Sequence, residues 1–215
     1  MMENKNNFIF NFEKTKGNLI TLALEGKFDV IAHGVNCFCI QKAGIAKDMD
    51  IWFGTGSFSM ESTKERNKQT DEGKYMKVSE KGNFNKLGNI DIGNCHIAPK
   101  VRTHTKNNKS PYCYTAPYKV NTRLLSDGWK MFFIVNCYIQ YRYGRDKDYV
   151  DYEALTLCMR KLNHRFPGKH IGLPMIGSGL AGGNWDRIQQ IIKKELSHMK
   201  VTIVEYDGSQ VKYKI

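Results

Sequence analysis

The sequence predicts an α/β domain in which helices cover both faces of one sheet. Three observations carry this. Six strand-like segments rich in Val, Ile and Phe are spread along 215 residues. In the second half they alternate with amphipathic helices. A glycine-rich loop joins the penultimate strand to the last helix.

Taken in order, "NFIFNF" (7–12) reads as the first strand and "DVIAHGV" (29–35) as a second, buried one. The chain then passes through "CFCIQK" to "AGIA", where a helix begins around Gly44. "LGNIDIGNCHIA" (87–98) and "MFFIVNCYIQY" (131–141) are further strands. Leu155, Cys158, Met159 and Leu162 then recur at helical spacing, with Asp151 as N-cap and "FPG" as the stop. "HIGLPMI" (170–176) is the fifth strand. After the glycine loop, Ile188, Ile191, Ile192 and Leu196 repeat the helical stripe behind an Asn184 cap, and "KVTIVEY" (200–206) closes the pattern. Residues 54–86 and 100–123 fit neither period and read as polar or basic surface excursions, the second with a hairpin around Pro111 to Pro117.

The length suits one domain over residues 1–215. No apolar run is long enough to cross a bilayer and no signal-peptide pattern follows "MMENKNNF", so an intracellular, cytoplasmic protein without membrane contact is expected. The six cysteines lack the spacing of a secreted disulfide scaffold, and reduced thiols are the expectation. His33, Cys37 and Cys39 lie close in sequence, but a fourth ligand at structural-zinc spacing is missing, and neither a metal nor a cofactor is expected. The formal net charge of +12 suits either an anionic partner, nucleic acid or a phosphorylated small molecule, or solubility alone.

Gly177, Gly179 and Gly182 in "IGLPMIGSGLAGGNW" carry the spacing G-x-G-x-x-G. A dinucleotide-binding dehydrogenase places that loop after its first strand, with most of its sheet still to come. Here 33 residues follow Gly182, enough for one helix and one strand, so that reading is excluded. What remains is a backbone cradle for phosphate. Ser178, Gly179, Leu180 and Ala181 would donate their N–H groups beside the N-terminus of the helix that Asn184 opens. A second loop follows "DVIAHGV" at the end of its strand, where open α/β sheets hold ligands. Asn36 there offers a donor and an acceptor suited to a sugar diol. His33, on an apolar strand, is either a core histidine or a catalyst.

Together the two loops resemble those of macrodomains, the ADP-ribose-binding fold. "AHGVN" with "AGIA" is similar to that family's V-N-A-A-N followed by G-G-V-A, and "GSGLAGG" to its second glycine loop. The resemblance runs from "KGNLITL" to "VTIVEY". It is nearest to phage and bacterial proteins, with a yeast relative, described as ADP-ribose-1''-phosphate phosphatase-like. It implies a three-layer α/β/α fold with a mixed central sheet and basic surface insertions, and, if phage-encoded, action in the host cytoplasm. It also implies a pose: Asn18 accepting from the adenine amine, Leu19 offering a backbone N–H, Tyr206 either packing on the base or serving as a plain strand-end aromatic. The diphosphate would lie on residues 178–182, and the distal ribose against Asn36 and the Gly44, Ile45 and Ala46 backbone.

In macrodomains that remove ADP-ribose from glutamate, a Lys and an Asp carry catalysis. The resemblance places Gln140 and Ala181 at those positions, and neither can act as amine nucleophile or carboxylate base. Hydrolysis of ADP-ribose-1''-phosphate is therefore the first expectation, with His33 as nucleophile or acid/base and Asn36 orienting ribose or water. A non-catalytic reader of ADP-ribose, a hydrolase of ADP-ribosylated macromolecules, and nucleic-acid association through the basic insertion are the alternatives.

Overall fold

The computed structural model describes residues 11–38, 40–57, 87–97 and 130–212. Its sheet has six strands: β1 (Asn11–Gly17), β2 (Val30–Asn36), β3 (Ile90–Ile97), β4 (Lys130–Gln140), β5 (His170–Pro174) and β6 (Lys200–Tyr206). They lie in the order β1-β6-β5-β2-β4-β3. Every neighbouring pair is parallel except β3 with β4, so the sheet is mixed, as expected. The parallel strands present their carboxyl ends along one rim. That rim positions the site.

Helices α1 (Leu19–Leu24) and α2 (Gly44–Phe53) cover one face, burying Ile20, Met49 and Phe53 against Ile31, Phe132 and Ile134. Helices α3 (Tyr152–Arg165) and α4 (Trp185–Glu195) cover the other. Their expected stripes are the buried ones: Leu155, Cys158, Met159, Leu162, Ile188 and Ile192 have no exposed surface, each large side chain contributing about 1.5–3 kcal/mol through burial. The three layers are thus α/β/α. Asp151 accepts from Ala154 N at 2.8 Å and Asn184 from Arg187 N at 3.0 Å, so both helices begin where their caps were read.

Three differences from the sequence reading have physical causes. β1 is described from Asn11 and runs on through the polar "NFEKTKG", because an edge strand beside β6 leaves most of its side chains in solvent. α1 is an added helix, too short at six residues to show a period, and Asn18 caps it. Residues 54–57 are not a surface excursion: Gly54 ends α2 at φ 64°, a short 3-10 turn follows over Thr55–Ser57, and Thr55 is buried. Residues 58–86 and 100–123, with the hairpin placed at Pro111 to Pro117, lie outside the described residues. Among those described, no helix is long and apolar enough to cross a membrane, and Cys137 and Cys158 form no disulfide.

Candidate functional site

A cleft of about 570 Å³ opens over the carboxyl ends of β2, β4 and β5, within the size range of small-molecule sites. Two bends form its walls.

The first follows β2. Asn36 Oδ1 accepts from Phe38 N at 3.1 Å and Ile40 N at 3.2 Å, while Nδ2 donates to Ile40 O at 2.8 Å. These bonds fold residues 36–40 into a tight loop. Asn36 lines the cleft as expected of a ligand contact, with its Oδ1 and one Nδ2 hydrogen engaged by backbone. Thr55 Oγ1 donates to Gln41 Oε1 at 2.5 Å and pins the far side of the bend. α2 then starts at Gly44, behind an Ala43 cap that offers no side-chain acceptor. The N–H groups of Gly44, Ile45 and Ala46 have no acceptor among the described residues. All three residues line the cleft. About half a unit of positive charge sits at such a helix start.

The second bend joins β5 to α4. Ser178 N and Oγ both donate to Met175 O, at 3.2 and 2.8 Å, and Gly182 N donates to Gly179 O at 3.0 Å. Ser178 and Gly182 are therefore corrected: their N–H groups hold the loop together, and neither residue lines the cleft. Gly177, Gly179, Leu180 and Ala181 do line it. The N–H groups of Gly179, Leu180 and Ala181 have no acceptor among the described residues. Gly182 has φ 71°, and a Cβ there would stand 2.8 Å from Lys147 O, so both conformation and space demand glycine. The positive helix end at the cleft belongs to α2 rather than α4: Gly44, Ile45 and Ala46 line the cleft, whereas no residue of α4 does. The bends meet where a Cβ on Gly44, itself at φ 57°, would lie 3.3 Å from Leu180 Cδ1.

His33 is not part of this site. It has no exposed surface and does not line the cleft. Asn136 Nδ2 donates to Thr55 O at 2.8 Å, which leaves Asn136 Oδ1 to accept from His33 Nε2 at 2.7 Å. His33 Nδ1 is buried without a partner among the described residues. Burial, only partly offset by the Asn136 bond, lowers its pKa to about 4. A histidine locked in its neutral form beneath the site cannot exchange protons with a ligand above it, so the catalytic expectation is corrected.

Gln140 ends β4 at the cleft, with Nε2 donating to Arg142 O at 3.0 Å. Asn18, Leu19 and Tyr206 sit at the carboxyl ends of β1 and β6, where Gly17 and Tyr206 are in register. They share the cleft's rim without lining it. Asn18 Oδ1 accepts from Ile20 N at 3.0 Å and Thr21 N at 3.2 Å, and Nδ2 donates to Ser209 O at 3.0 Å. It is a helix cap, and the role of adenine acceptor is corrected. Leu19 N–H has no acceptor among the described residues, and the Tyr206 side chain is 67% exposed.

The sequence reading missed Lys42, Tyr143 and Arg145, all lining the cleft. Tyr143 and Arg145 belong to the loop after β4, the strand end next to β2. The rule that singled out the loop after β2 would have found "YRYGR" had it been applied to β4.

No protein-family model matches the chain. An uncharacterized 17.5 kDa protein in the tk-vs intergenic region of Enterobacteria phage T4 is 28% identical over 196 residues, covering 89% of this chain and 94% of that protein. Among solved structures, Thermosipho africanus DarTG in complex with ADP-ribose aligns with a TM-score of 0.54 at 10% identity, over 94% of this chain and 43% of that one. A Trypanosoma brucei macrodomain in complex with ADP aligns with a TM-score of 0.50 at 11% identity, over 93% and 65%. A Bacteroides thetaiotaomicron protein of unknown function aligns with a TM-score of 0.50 at 17% identity, over 91% and 98%. The chain has the macrodomain fold.

Proposed function

We propose that this protein binds ADP-ribose across the rim of its sheet and hydrolyses ADP-ribose-1''-phosphate to ADP-ribose and phosphate. One observation carries the binding: in each of two separate bends, three consecutive residues that line the same cleft have backbone N–H groups without an acceptor among the described residues. A diphosphate is the group that two such rows fit, since each phosphate offers acceptor oxygens and negative charge. The span from β2 to β1 is three strand spacings, roughly 14 Å, which leaves room for a nucleoside beyond the diphosphate. Leu19 N–H and the exposed Tyr206 ring stand at that end. The complexes of DarTG with ADP-ribose and of the trypanosomal macrodomain with ADP support the same ligand class.

Hydrolysis here proceeds by positioning. Water attacks phosphorus, the bond from phosphorus to the C1'' oxygen breaks, and ADP-ribose and inorganic phosphate leave. A loose phosphoryl-transfer transition state needs stabilised equatorial oxygens more than a base. A second reading, a binding module without turnover, is favoured by a different fact. Among the described residues lining the cleft there is no carboxylate, histidine, serine or cysteine side chain.

Calorimetry with ADP-ribose and phosphate release from ADP-ribose-1''-phosphate separate these readings. The expected result is saturable binding, together with phosphate release that His33→Gln retains at pH 7.5 because His33 lies below the cleft. Tight binding with no phosphate release leaves the binding module standing. Absence of both overturns the proposal.

A further inference from the structure

Lys42 and Arg145 both line the cleft with exposed side chains, and no ion pair involving either occurs among the described residues. Such isolation is unusual for a cation in a loop that also holds Asp146 and Asp148. The reason is local. Asp146 accepts from Tyr149 Oη at 2.5 Å, while Asp148 accepts from Tyr152 Oη and from Val150 N. Both carboxylates thus face the loop's own donors rather than pairing with Arg145. Tyr149 N in turn donates to Ala181 O at 2.8 Å, which fastens this loop to the glycine bend. Arg145 is carried on an anchored segment and makes no ion pair among the described residues.

Strand order says what these cations face. A nucleoside end at β1 and β6, and N–H rows after β5 and β2, run in one direction along the rim. The loop after β4 comes next in that direction. It lies past the diphosphate, beside whatever is attached to the distal ribose. We propose that Arg145 and Lys42 form a subsite for a second, terminal phosphate, making this site selective for an ADP-ribose that carries a phosphomonoester over ADP-ribose itself. The inference rests on the ADP-ribose reading above and deepens it. A terminal phosphomonoester carries roughly two negative charges near neutral pH. A guanidinium fork matches two of its oxygens, and the ammonium adds a point charge from the opposite loop.

The test compares three probes by calorimetry: ADP-ribose, a non-hydrolysable 1''-phosphonate analogue, and an uncharged 1''-methyl ether. Wild type is expected to bind the phosphonate about 10-fold or more tighter than ADP-ribose, and the methyl ether no tighter than ADP-ribose. In Arg145→Gln with Lys42→Gln that preference falls to about unity, the phosphonate losing far more affinity than ADP-ribose or the methyl ether. A preference unchanged in the double variant overturns the subsite. Equal weakening of all three probes also overturns it, because the cations would then serve the diphosphate. Wild type that binds the phosphonate no better than ADP-ribose overturns the subsite and spares the ADP-ribose reading. Wild type that fails to bind ADP-ribose removes both.

Discussion

Gly179→Glu is expected to weaken ADP-ribose binding by at least about 100-fold, since like charges forced together across an interface cost several kcal/mol. The same variant should unfold within about 2 °C of wild type. Both halves follow from one position. A Cβ on Gly179 meets nothing within 4 Å, so the fold has room for a side chain there. The residue nevertheless lines the cleft, where a carboxylate would occupy the place proposed for the diphosphate. Gly182→Ala should behave differently. It sits in the same glycine motif, but at φ 71° and with its Cβ 2.8 Å from Lys147 O. The cost there is stability, about 1–3 kcal/mol. Thermal melts beside binding isotherms distinguish the two. Equal stability losses in both variants would contradict this division of labour.

The second large effect is on acid stability. His33 has a folded pKa of about 4 against 6.5 for the free side chain, because burial opposes its charge. Above pH 6.5 the group is neutral in both states and costs nothing. As pH falls below 6.5 the unfolded chain takes up a proton that the fold does not, and stability drops until about pH 4, where the folded form also protonates. The accumulated loss is about 3 kcal/mol. Denaturant unfolding of wild type and His33→Gln, measured from pH 7.5 to 4, checks it. The variant's stability should decline less steeply by about 1.4 kcal/mol per pH unit within that window. Parallel curves would show that His33 titrates normally and is not sealed in the core.

The fold was largely legible because its elements repeat apolar residues at their own periods. Leu155, Cys158, Met159 and Leu162, then Ile188 and Ile192, mark α3 and α4 without ambiguity, and Asp151 and Asn184 cap them as read. α1 was not legible, since six residues behind Asn18 hold too few turns to establish a period. The site was half legible. Glycines and a strand end identify where backbone can bend around a ligand, but they do not tell which N–H groups the loop consumes. Ser178 and Gly182 spend theirs on Met175 O and Gly179 O, whereas Gly179 to Ala181 and Gly44 to Ala46 keep theirs. Polar side chains misled for the same reason. Asn18 and His33 look like ligand contacts in a sequence, yet each satisfies a partner inside the fold: the start of α1, and Asn136. Lys42 and Arg145, which make no ion pair among the described residues, sit in stretches without a motif.

A grip of two bends' amides on one diphosphate is tested most directly by an NMR titration of the protein with ADP-ribose, following the backbone amides of residues 44–46 and 179–181. Both sets should shift together along a single binding isotherm, while the buried amide of His33 stays in place. Saturation that leaves both sets unmoved, or that moves one bend alone, would contradict it.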